Sequence, residues 1–94
     1  MTIINTRPQL ETSAQISLEQ MYQVILFNDD INDCEYVVEC LISIFNHPLN
    51  LAVKIMIEAH ECGRAIAEVE SKTLALQHTA ALLRAGLNAK AEAI

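Results

Sequence analysis

Tyr22 to Glu39 reads YQVILFNDDINDCEYVVE, and the change of period inside this stretch decides the fold. From Tyr22 to Phe27 the residues are mostly β-branched or aromatic and alternate, with Tyr22, Val24 and Leu26 on one face and Gln23, Ile25 and Phe27 on the other. That pattern predicts a strand buried mostly on one side. Beyond it Cys34, Val37, Val38, Leu41 and Phe45 recur at spacings of three and four, which predicts an amphipathic helix over about 33–45. Asn32 and Glu35 stand at capping-box spacing at its start. Asn28-Asp29-Asp30 is thus held between a strand end and a helix start. Acceptors placed there keep a fixed geometry, which a mobile acidic loop cannot provide.

Working outward, Asn46-His47-Pro48 ends this helix and starts another over about 49–61, because Pro suits a first turn and disfavours helix in the residue before it. Gly63 is the expected C-terminal stop. Met56, Ala59 and His60 project from one face of that helix. Arg64 to Val69 is β-compatible, Ser71 is an N-cap, and a third helix over about 72–85 ends at Gly86. Leu87 to Ile94 is expected to form an edge strand. The order β-α-α-β-α-β implies an α+β two-layer sandwich, a small three-stranded sheet packed against three helices. Residues 1–20 show no sustained period and are expected to be a flexible extension of a core domain over 21–94.

The chain has 94 residues, 52% of them hydrophobic, enough for one small domain. Twelve acidic residues against six basic ones give a net charge of −6, and no Lys or Arg lies between Arg7 and Lys54. Nucleic acid is therefore not an expected partner, since phosphate binding needs clustered cations. Asp29 to Glu39 should instead present a negative face to a cationic group. Cys34, Cys40 and Cys62 are an odd set without a CxxC motif, and no signal peptide precedes them, which suits a reducing cytoplasm or plastid stroma. No apolar run approaches the ~20 residues that span a bilayer, so a soluble protein with no membrane partner is expected.

Catalytic chemistry finds little support, because the chain lacks a nucleophile elbow and an HExxH motif and has two glycines in all. No enzyme activity and no cofactor are expected. Asn28, Asp30, Asn32 and Glu39 fall at EF-hand-like positions, but Asp33 stands where the loop needs Gly and a strand precedes, so calcium is disfavoured. His47, His60 and His78 are scattered and imply no metal site. On spacing alone, Asn28-Asp29-Asp30 reads as turn and helix-entrance chemistry, and Val37, Leu41 and Met56 as core.

YQVILFNDD, EYVVECL and AVKIMIEAHECGRA together, in this order and spacing over about 21–66, resemble the ClpS family, adaptors that hand N-degron substrates to Clp ATP-dependent proteases. The look is closest to the plastid and cyanobacterial branch. The resemblance implies that Asn28, Asp29 and His60 hold a free α-amino group. It also implies a neighbouring pocket for a bulky hydrophobic first residue, lined by Asn32, Cys34, Val37, Leu41, Met56, Ala59 and Leu87. An ammonium group has three donors and a positive charge, so one carboxylate and two neutral acceptors satisfy it. Cys34 and Ala59 are smaller than the Met and Val common at those places, which opens the range of accepted first residues. The implied partners are N-degron substrates and the N-terminal domain of a ClpA- or ClpC-type chaperone, met by a monomer. Lys72, Thr73 and His78 stand where the chaperone contact is expected, in a stretch that departs from the usual charged set. That departure leaves a second reading open, a regulator of a Clp chaperone or another partner that no longer selects N-degrons.

Overall fold

The computed structural model describes residues 20–94, so the expected extension over 1–20 lies almost wholly outside the described residues. Strand β1 (Met21–Phe27) is followed by helices α1 (Cys34–Phe45) and α2 (Leu49–Cys62), strand β2 (Arg64–Ser71), helix α3 (Lys72–Arg84) and strand β3 (Asn88–Ala93). The sheet is antiparallel with order β2-β1-β3, so the strand that carries Asn28-Asp29-Asp30 at its end is the central one. The expected sandwich is formed.

The inward faces explain how the layers meet. Val24 and Leu26 of β1 are packed with Ala65 and Ala67 of β2, and Ala89 and Ala91 of β3 lie against the same core. Alanines on the outer strands allow Leu41 of α1, Ala52, Ile55 and Ala59 of α2, and Ala75 and Leu82 of α3 to close on the sheet. Ile25, on the face opposite Val24 and Leu26, is nevertheless only 3% exposed, so both faces of the strand centre are covered. It sits on the central strand with Ile66 and Lys90 as register partners, so neighbours cover it from both sides.

Helix ends follow the local chemistry with one correction. Ser71 Oγ accepts from the Leu74 N–H at 3.4 Å, as expected of an N-cap. At the end of α3, Gly86 (φ 88°) lets its own N–H reach the Leu83 carbonyl and that of Leu87 reach Leu82, both at 3.0 Å. Asn46, at φ 60°, ends α1 in the left-handed region that Asn tolerates. The capping box at the start of α1 is not formed: the N-cap residue is Asp33, without a side-chain bond, because the Asn32 side chain is engaged elsewhere. His47, expected beside a turn, is buried, with Nε2 donating to the Ala67 carbonyl at 2.8 Å and its ring stacked on Phe45. Since a carbonyl only accepts, Nε2 carries the proton.

Candidate functional site

The Asn28 N–H donates to the Gly63 carbonyl at 2.9 Å, which ties the end of β1 to the end of α2 and sets the acidic turn beside His60. Asp29 then organises the turn. Its Oδ1 accepts from the backbone N–H groups of Ile31 at 3.0 Å and Asn32 at 2.7 Å. The Asn32 side-chain amide donates to both Asp29 oxygens, at 3.2 and 3.1 Å, and also to the Gly86 carbonyl at 3.0 Å. Tyr36 donates to the Ala85 carbonyl at 2.6 Å, so the start of α1 is fastened twice to the α3–β3 junction.

The Asn32 backbone bond, supported by its side chain and by the Ile31 N–H, holds the Asp29 carboxyl below its ordinary value of 3.8 against the opposing effect of burial. A carboxylate with a lowered folded-state pKa stabilises the fold above its ordinary value, and the contribution is lost as the pH falls through the lowered one. Thermal melts of the wild-type protein and Asp29→Asn should therefore differ at neutral pH and converge well below pH 3.8. A gap that stays constant through the acid range would count against this role of the charge.

Beside the turn is a cavity of about 210 Å³. Asn28, Asp29, Asp30, Asn32 and His60 supply its polar wall, while Leu26, Phe27, Val37 and Met56 supply the apolar one. Cys34 and Ala59 complete the lining. Below the roughly 300–1,000 Å³ of drug-sized ligand sites, such a space suits one side chain rather than a whole cofactor. A negative, acceptor-rich wall next to an apolar one fits a primary ammonium group adjoining an apolar side chain.

Most of the residues expected from the sequence thus meet in one place: Asn28, Asp29, Asn32, Cys34, Val37, Met56, Ala59 and His60. Leu41 and Leu87 do not line the cavity; they are 0% and 4% exposed within the main core. Leu26, Phe27 and Asp30 also line it, though not expected there; their position in or within two residues of the Asn-Asp-Asp triplet is the signal that the sequence offers. Lys72 and Thr73 are exposed at the start of α3, outside the cavity lining. His78, also outside it, is half-buried, with Nδ1 at 2.6 Å from a Glu70 oxygen and its ring edge-on to Phe45. Among the described residues no group of three or more His, Cys, Asp or Glu could hold a metal ion. Among them, too, no helix is long and apolar enough to cross a membrane.

Comparison with known proteins gives the same family in sequence and in structure. A family model described as ATP-dependent Clp protease adaptor protein ClpS matches residues 17–90. An ATP-dependent Clp protease adapter protein ClpS from Campylobacter jejuni is 37% identical over 71 residues, 73% of this chain and 74% of that protein. One from Acetivibrio thermocellus is 35% identical over 65 residues, 69% of this chain and 66% of that protein. The structure of Agrobacterium tumefaciens ClpS2 bound to L-phenylalaninamide superposes with a TM-score of 0.74 at 27% identity, covering 80% of this chain and 98% of the other. With the core sequence and the sandwich both matched, the chain belongs to the ClpS family of ATP-dependent Clp protease adaptor proteins.

Proposed function

We propose that this Clp protease adaptor selects proteins by a bulky hydrophobic first residue and delivers them to a chaperone of the ClpA or ClpC type. The observation that carries this reading is the junction of Asn28, Asp29 and His60 with an apolar cavity in one lining. Asp29 supplies the charge and Asn28 and His60 the neutral acceptors for a free α-amino group, while Val37, Met56 and Phe27 surround the first side chain. The solved A. tumefaciens ClpS2 holds L-phenylalaninamide, a molecule with a free α-amino group and an aromatic side chain, which supports the same chemistry here. The adaptor catalyses nothing itself. It works as a monomer in the cytoplasm, or in the plastid stroma of a eukaryotic cell, and residues 1–20 are the segment offered to the unfoldase.

Lys72 and Thr73 are exposed at the start of α3 and form the chaperone contact, with His78 shaping its edge. The engagement of His78 by Glu70 and Phe45 takes one expected chaperone-contact residue out of direct reach and favours one alternative, a regulator of a Clp chaperone or of another partner that does not select N-degrons. Proteolysis of a Phe-starting reporter by the cognate Clp protease, with a pull-down on its chaperone, separates the two. The adaptor reading expects chaperone binding and degradation several-fold faster with the chain than without it. Chaperone binding without faster degradation supports the regulator.

A further inference from the structure

The two edges of the sheet are finished differently. β2 and β3 flank β1, so each turns a row of backbone N–H and C=O groups away from the sheet. On β2 side chains meet that row: the Ala67 carbonyl accepts from His47 Nε2 at 2.8 Å, and the Val69 N–H donates to Glu68 Oε1 at 3.0 Å. On β3 the Ile94 N–H donates to the Met21 carbonyl, so by the alternation of an antiparallel ladder Asn88, Lys90 and Glu92 bond toward β1. Ala89, Ala91 and Ala93 then point their backbone groups outward, and no hydrogen bond joins those groups to another element among the described residues.

We propose that β3 pairs with the β3 of a second copy of this chain, antiparallel about a two-fold axis at Ala91, in a reversible dimer that coexists with the working monomer. Backbone geometry and charge select the same register. Outward residues must meet outward residues, which limits the possible offsets to steps of two. With Ala91 opposite Ala91 of the second copy, Ala89 meets Ala93, and every outward residue exchanges both of its bonds. Lys90 then stands opposite Glu92 of the second copy, and Glu92 opposite Lys90, in the non-hydrogen-bonded positions where side chains come closest. One step either way would set Lys90 against Lys90 or Glu92 against Glu92, which repel.

Within one chain Lys90 Nζ lies 3.0 Å from Glu92 Oε2 on the outer face of the sheet. Pairing turns that exposed bridge into four alternating charges. The helix layer leaves room for it. α3 packs on β1 and β2 as well as on β3, so its axis is set back from the β3 edge. In the joined sheet both helices lie on one side, and the two set-backs add to the strand spacing of ~4.8 Å toward the ~8–10 Å of packed helices. One strand pair is smaller than the roughly 1,200–2,000 Å² interfaces of stable complexes, so pairing is weak and the monomer dominates in dilute solution. In concentrated solution it closes β3 to less selective strand addition.

The test is sedimentation equilibrium of the full chain over a wide range of concentration. The wild type should move from the monomer mass toward twice that mass, and hydrogen exchange at the Ala89, Ala91 and Ala93 amides should slow as it does so. Lys90→Glu and Glu92→Lys should each weaken pairing roughly tenfold, because two facing attractions become two repulsions. The double change Lys90→Glu with Glu92→Lys should restore it, and so should an equimolar mixture of the two single variants, in which every facing pair is again of opposite sign. Cooperative thermal melts establish that all the variants fold. A wild type that stays monomeric up to millimolar concentration overturns the proposal. It is equally overturned by a dimer indifferent to both single changes, or by a double change and a mixture that pair no better than the single variants.

Discussion

Acetylating the N-terminus of a Phe-starting peptide is expected to weaken its binding at least a hundredfold. The modification removes the positive charge and two of the three donors that the acceptor wall of the cavity would receive. Bonds to charged groups contribute roughly 1.5–3 kcal/mol each, and every ~1.4 kcal/mol is a factor of ten, so the loss of two exceeds a hundredfold. The matching change in the protein is Asp29→Asn. Its remaining carbonyl oxygen can still accept from the Ile31 and Asn32 N–H groups, so the turn can persist at neutral pH while the charge is gone. Affinity for the free peptide should fall at least about tenfold, and the acetylated peptide should bind the variant and the wild type equally poorly. Asp29→Ala removes the turn acceptor as well and should lower the melting temperature further than Asp29→Asn does. Isothermal titration of both peptides against the three proteins checks this. Equal affinity for free and acetylated peptides would remove the basis for assigning an ammonium site to Asn28, Asp29 and His60.

Leu41→Ala is expected to damage the fold severely while sparing the site. Leu41 is 0% exposed and belongs to the main core with Val24, Leu26 and Leu82. Such truncations of buried leucine cost about 2–5 kcal/mol, through lost burial and the cavity left behind. Small domains have totals of about 5–15 kcal/mol, so a large part of the stability would go. Urea unfolding should show the midpoint falling with little change in slope, and the folded fraction should keep its affinity for L-phenylalaninamide because Leu41 does not line the cavity. Altered peptide choice at unchanged stability would instead put Leu41 in the pocket.

Element order was legible in the sequence because it depends on short-range rules. The strand over Tyr22 to Phe27, the N-cap at Ser71 and the stops at Gly63 and Gly86 fall where the structure has them, and each rests on neighbours a few residues away. The same holds for the acidic turn at the end of the central strand. Which apolar residues face the cavity was a tertiary matter. The helical period turns Val37 and Leu41 inward alike, yet Val37 meets the cavity and Leu41 the core, because position along the helix decides which neighbour each one meets. Asn32 carries a strong local capping signal, but its amide bridges Asp29 and the Gly86 carbonyl, 54 residues away, and a local rule has no access to that competitor. Local periodicity fixes which way a side chain faces; only the assembled layers decide whether it meets another side chain, a cavity or water.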